Sequence, residues 1–298
     1  MRLNNVLIDD TFAEAFGMKA TRVIVTARNA TWARNAGIAA TGFATSVIAC
    51  GCEAAIERVL PPEETPDGRP GVALLLFAVS TKELTKQLER RIGQCVLTCP
   101  TTAAYAGLRE GEALPLGKTL RYFGDGFQIS KLIDGRRYWR VPVMDGEFLC
   151  EESTAMVKAV GGGNFLILAE NPDAALAAAE AAVAVMREVA GVIMPFPGGV
   201  VRSGSKVGSK YKALPASTND AYCPALRGRV ASALGPGEDC VLEIVFDGLT
   251  SEQVARATAV GIRAACAVPG VRRISAGNYG GKLGQFHFHL RKLLEEST

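Results

Sequence analysis

Residues 71–79, GVALLLFAV, form an unbroken apolar run closed by Ser80 and Glu83, and Pro100 follows 17 residues after Glu83. A run this short and continuous reads as a strand buried on both faces. Ser80 with Glu83 is a capping-box pattern that opens a helix to about Thr98, and Pro100 stops it. The same order returns in the second half. Residues 240–246, CVLEIVF, read as a strand, Thr250 and Gln253 form a second capping box, and Pro269 lies 17 residues after Glu252.

The elements around these two blocks repeat as well. Residues 21–26 (TRVIVT) read as a strand, and Asn29 can cap a helix running to about Ala40. Residues 46–50 read as a second short strand, and 137–141 (RYWRV) complete the half. In the second half, 164–169 (NFLILA) read as a strand, and Asn171 with Pro172 opens an Ala-rich helix that ends near Gly191. Strands at 273–276 and 285–290 close the series. Strand–helix–strand twice in each half predicts an α+β fold of two ferredoxin-like lobes. The division is placed in PVMDGE (142–147), giving lobes 1–144 and 145–298. Such a lobe packs both helices on one sheet face and leaves the other for function or a partner. The irregular stretches 60–70 and 193–224 are long for plain connections, and long loops are more often functional.

Composition narrows the classes. The 298 residues are 48% hydrophobic and 21% charged, an ordinary globular balance. A net charge of +3 is too mild for a nucleic-acid binder, which shows a basic stripe in a much more basic domain. The longest apolar stretch, 172–185, carries Asp173 and Glu180 and falls short of the roughly 20 residues that span a bilayer. The N-terminus has no charged start followed by an apolar block, so a cytoplasmic location is expected. In that compartment the eight cysteines are expected as thiols rather than as a disulfide framework.

Seven collinear blocks carry a resemblance: TGFATSVI (41–48), ETPDGRPG (64–71), RIGQCVLT (91–98), GGNF (162–165), PFPGG (195–199), SGSK (203–206) and ISAGNYGGKLG (274–284). Together they resemble the formylmethanofuran:tetrahydromethanopterin formyltransferase family over nearly the whole chain, residues 10–290. The resemblance implies transfer of a formyl group between the amine of methanofuran and N5 of tetrahydromethanopterin. It places the reaction in one-carbon metabolism, either formaldehyde oxidation to formate or CO2 reduction. It further implies that the two carriers are substrates and that no cofactor is permanently bound. The expected assembly is a homo-oligomer, a dimer of dimers, or a hetero-oligomer with hydrolase-type subunits. Neither nucleic acid nor membrane is expected as a partner. The rival reading is a non-catalytic carrier-binding or scaffold subunit that keeps the fold.

A formamide is a poor acyl donor, so the chemistry needs an oxyanion site, a proton carrier and exclusion of water. Alternation in 240–246 puts Cys240, Leu242, Ile244 and Phe246 on the core face and Glu243 on the opposite face between Val241 and Val245. Alternation alone fits a Glu facing water on an open sheet; the resemblance implies a general acid/base there. Residues 197–212, rich in glycine, serine and cations, can offer Ser203, Ser205, Lys206 and Lys210 to anionic parts of the carriers, or be a solvated basic loop. Arg69 can reach a carboxylate or serve the turn built by Pro66, Asp67 and Gly68. Thr101 and Thr102 are hydroxyl donors at a helix exit, and Asn278 precedes Gly280 and Gly281; for each, ligand binding and turn stabilisation both stand. His287 and His289 lack the paired-cysteine spacing of a zinc site, so no metal is expected. A thioester route through Cys95 or Cys99 is set against core packing, since neither has a His nearby in sequence.

Overall fold

A computed structural model describes residues 1–204 and 206–296. The chain forms two compact units, one of residues 18–159 and one of residues 1–17 with 160–298. Each is taken in turn.

In the 18–159 unit the strand Gly71–Ala78 is buried along its whole length, as its continuous apolar run requires. It pairs antiparallel with Lys19 to Thr26 of the strand Phe12–Thr26 on one side and with Glu53–Leu60 on the other. Ala103–Ala106 pairs with Val23 to Thr26, so the order across the sheet is last, first, third, second. That order is ferredoxin-like. Helices Ala30–Thr41 and Thr81–Arg91 pack on one face through Ala36, Ala40, Leu84 and Leu88 against Val23, Val25, Leu74 and Leu76. The sheet then extends through Gly146–Glu151, Arg136–Val143 and Ile129–Ile133.

The other unit repeats the plan. Asn164 to Ala169 of the strand Ser153–Ala169 lie between Cys240–Gly248 and Val271–Ser275, and Val192–Ile193 forms the far edge beside Cys240–Gly248. The order is again last, first, third, second. Helices Pro172–Met186 and Ser251–Ala265 cover one face, with Phe165, Ile167, Ile244, Phe246 and Ile274 beneath them.

The helix starts match the sequence reading because each has a side chain to accept an orphan amide. Asn29 accepts from the Trp32 N–H and Asn171 from the Ala174 N–H. Ser80 accepts from Glu83, and Thr250 with Gln253 forms a complete capping box. These caps set equivalent positions in the two units. Ile24 lies five residues before Asn29 and pairs with Ala73, seven before Ser80; Leu166 lies five before Asn171 and pairs with Glu243, seven before Thr250.

Several sequence expectations are overturned: the strand that completes the first half is Ala103–Ala106, and 137–141 lie in Arg136–Val143 of the sheet extension. Residues 46–50 are not a strand: Val47–Cys50 is a helical turn with the Ser46 hydroxyl accepting from Ile48 and Gly51 closing it in the left-handed region. The edge strand is Glu53–Leu60. The helix expected to reach Thr98 changes to a π-turn over Ile92–Val96. Among the described residues no helix is long and apolar enough to cross a membrane.

Candidate active site

Glu243 occupies the sheet face turned away from the helices, since its neighbours Ile244 and Phe246 point into the core beneath them. On that outer face Leu166 pairs with Glu243 on one side and with Ser275 on the other. Ser275, Leu166 and Glu243 therefore stand in one row across three strands. Val201 continues the row: its N–H donates to the Glu243 carbonyl at 2.7 Å, and the Glu243 N–H donates back at 2.9 Å. Glu243 is only 3% exposed. The water-facing reading of this carboxylate is thereby set aside: residues 201–204, 218, 219, 222 and 223 lie about it. Between them lies a cavity of ≈ 30 Å³ whose walls include Leu166, Ser203, Asn219, Tyr222, Cys223 and Glu243. The Tyr222 hydroxyl lies 3.5 Å from the Ser275 Oγ.

A second segment is fastened beside this face by Glu14. Its Oε2 accepts from the N–H groups of Tyr279 (2.6 Å) and Gly281 (2.9 Å), and its Oε1 from Leu283 (2.6 Å) and Gly284 (2.5 Å). Burial raises the cost of the charged carboxylate, but the four amide donors prevail and bring its pKa down to about 2. Gly284 is required here, since a Cβ would sit 2.4 Å from the Ala15 carbonyl oxygen. Asn164 ties the start of the segment, its Oδ1 accepting from the Gly277 N–H at 2.6 Å. Asn278 turns its Nδ2 to Thr11 and Phe12 rather than outward. The Tyr279 phenol is pushed above its ordinary range by burial and then by the charges of Glu243 and Glu14.

The glycine- and lysine-rich segment makes a small hairpin, Lys206–Val207 against Ala216–Ser217. It borders a cavity of ≈ 650 Å³ with Lys206, Lys210, Tyr211, Asp220 and Arg229 among its walls. Lys206 Nζ lies 2.7 Å from Asp220, whose carboxyl it holds below the usual range. Lys210 is exposed. The Ser203 hydroxyl donates to the Gly204 carbonyl at 3.2 Å. Ser205 lies outside the described residues.

A small cavity holding one buried carboxyl, beside a larger one rimmed with cations, fits transfer of a small group between large anionic carriers. The family model for formylmethanofuran-tetrahydromethanopterin formyltransferase matches residues 1–143, and that for its proximal lobe matches residues 146–293. The chain belongs to this formyltransferase family. It is 68% identical over 297 residues to the formylmethanofuran–tetrahydromethanopterin formyltransferase of Methylococcus capsulatus, covering 99% of this chain and 100% of that one. Its fold superposes on a chain of the formyltransferase/hydrolase complex of Methylorubrum extorquens, solved with methylofuran, with a TM-score of 0.96 at 52% identity, covering 99% of this chain and 98% of that one. The formyltransferase of Methanosarcina barkeri gives a TM-score of 0.93 at 48% identity, covering 98% and 100%.

In this formyltransferase-family chain the remaining candidates belong to the 18–159 unit. Arg69 is spent on its neighbours: Nε donates to Asp67 at 2.7 Å, Nη1 to the Thr101 carbonyl at 2.6 Å and Nη2 to the Thr26 hydroxyl at 2.9 Å. Asp67 also accepts from Thr26 (2.7 Å) and Tyr105 (2.9 Å), so that despite burial its carboxyl is held low. Thr101 joins this network through a left-handed backbone, φ 66°. Thr102 donates to the Val96 and Cys99 carbonyls and closes the helix exit. Cys95 and Cys99 pack at the edge of the unit's core, and burial raises the Cys99 thiol. In the other unit, His287 and His289 lie against the Phe12 ring at 4.8 and 5.2 Å.

Glu14, Asn164, Tyr222, Ser275 and Tyr279 were not singled out from sequence. For Glu14 a signal existed: one acid inside the strand FAEAF, flanked by Ala13 and Ala15, both fully buried. Tyr222 carries no such signal, since it sits in an irregular loop.

Proposed function

We propose that the chain transfers a formyl group between N5 of tetrahydromethanopterin and the amine of methanofuran, with Glu243 as the proton carrier. The supporting observation is a buried carboxyl, on the sheet face away from the helices, at the wall of a small cavity. The amine of one carrier attacks the formyl carbon of the other, and the carbonyl becomes a tetrahedral oxyanion. Glu243 takes the proton released by the attacking nitrogen and returns it to the leaving nitrogen as the carbonyl reforms. Burial excludes water, which would otherwise hydrolyse the activated carbon. No prosthetic group enters this scheme, since both carriers are substrates. Lys206, Lys210, Ser203 and Ser205 are assigned to carrier binding, and Arg69, Thr101, Thr102 and Asn278 are assigned to it through the loops that their hydrogen bonds hold.

Glu243→Gln keeps the shape and removes the titrating group. Transfer is expected to fall by about 10²–10⁴-fold, with binding of both carriers retained. Undiminished turnover with normal carrier binding would remove Glu243 from this role. We further assign the protein to the cytoplasm, take 1–144 and 145–298 as its two lobes, and expect it to assemble as a homo-oligomer or with hydrolase-type subunits. The Methylorubrum extorquens relative sits in such a complex. The native mass in extract of its own cells separates the two assemblies.

A further inference from the structure

Proton transfer by Glu243 answers only half of what a tetrahedral intermediate needs; the negative oxygen requires donors of its own. The walls of the ≈ 30 Å³ cavity contain a hydroxyl that meets this need. A water-sized group needs roughly 10–15 Å³ of such space. The cavity therefore has room for a formyl C=O beside Glu243.

The sheet register fixes what faces what. Ser275 and Glu243 flank Leu166 on the same face. With adjacent strands about 4.8 Å apart, their backbones are separated by about 10 Å. Glu243 and Tyr222 both line the cavity, and the Ser275 hydroxyl meets Tyr222. Tyr222 supplies the second hydroxyl: it walls the cavity, and its oxygen is 3.5 Å from the Ser275 Oγ. Ser275 is only 3% exposed, so its hydroxyl is directed by the protein rather than by solvent. Either oxygen of this pair can donate; with Ser275 as donor, the Tyr222 proton is left for another acceptor.

We propose that Tyr222 is the oxyanion donor of the formyl-transfer site, opposite Glu243 across the formyl cavity, and that Ser275 is its positioning residue. The inference rests on the assignment of Glu243 above. In the attacking step the new C–N bond forms, the C=O π pair moves to oxygen, and Tyr222 donates a hydrogen bond to that oxygen without losing its proton. In collapse the pair returns, the old C–N bond breaks, and Glu243 delivers the proton to the departing nitrogen.

Tyr222→Phe, Ser275→Ala, the double variant and Glu243→Gln are compared in the full-length protein, with kcat and both carrier KM values measured and folding followed by Tm. Tyr222→Phe is expected to lower kcat about 10²-fold with KM values within about twofold, the cost of losing one oxyanion donor. Ser275→Ala is expected to lower kcat by less, and to add nothing once Tyr222 is Phe, because it acts only through that hydroxyl. An inactive Glu243→Gln beside a fully active Tyr222→Phe overturns this inference and leaves the function intact. A rise in KM at constant kcat, or additive effects of the two hydroxyl losses, overturns it too. Full activity of Glu243→Gln would instead bring down the underlying site assignment.

Discussion

Glu14 and Glu243 are both buried carboxylates in one compact unit, yet their surroundings give them opposite work. Glu14 is surrounded by four amide donors, and its pKa lies near 2 against an ordinary 4.5. Because the folded value is depressed, its contribution to stability is complete above the ordinary value and is lost as pH falls from about 4.5 through about 2. In Glu14→Gln the amide NH2 must face an N–H, so Tm is expected to drop at neutral pH, and the gap from the parent protein should close as pH approaches 2. A gap independent of pH would show that charge is not what those amides hold. Two-residue alternation placed Glu243 on the outer face without knowledge of any partner, and its role came only from the resemblance. For Glu14 the flanking alanines signal burial but not its partners, because the donors lie 265 to 270 positions away and are backbone groups that no side-chain pattern advertises.

At the scale of elements, caps and apolar runs read true because they are local. Asn29, Ser80, Asn171 and Thr250 each satisfy the amide three residues on. The 46–50 segment failed for the converse reason. Its β-branched residues suit a strand, but the Glu53 carboxylate accepts the Val47 N–H at 3.0 Å and favours a helical turn. The strand Ser153–Ala169 was read only from Asn164, since the glycines at 161–163 break alternation at a register shift between Val160 and Gly163. Gly163 is needed for packing: a Cβ there would lie 2.9 Å from Val254 and 3.0 Å from the Phe246 ring. Gly163→Ala is accordingly expected to cost about 1–3 kcal/mol by overpacking, measured by urea unfolding. A neutral result would mean that the helix Ser251–Ala265 yields easily.

For the whole molecule, the two-lobe plan was legible from the matched distances between helix start and proline, a repetition that survives divergence of the side chains. The candidate site was legible only as far as one strand. Its other walls come from the irregular stretch 193–224, whose path depends on contacts distant in sequence. The pairing that puts Leu166 against Glu243 puts Ile24 against Ala73 in the other unit. Duplication of a scaffold has thus not been accompanied by duplication of its acid: a methyl group stands where the proton carrier would be. A tight-binding mimic of the tetrahedral adduct should accordingly saturate at one equivalent per polypeptide in calorimetric titration, and two equivalents would contradict this. Lacking an acid, the vacant counterpart can bear changes at Ala73 without touching the group that moves the proton.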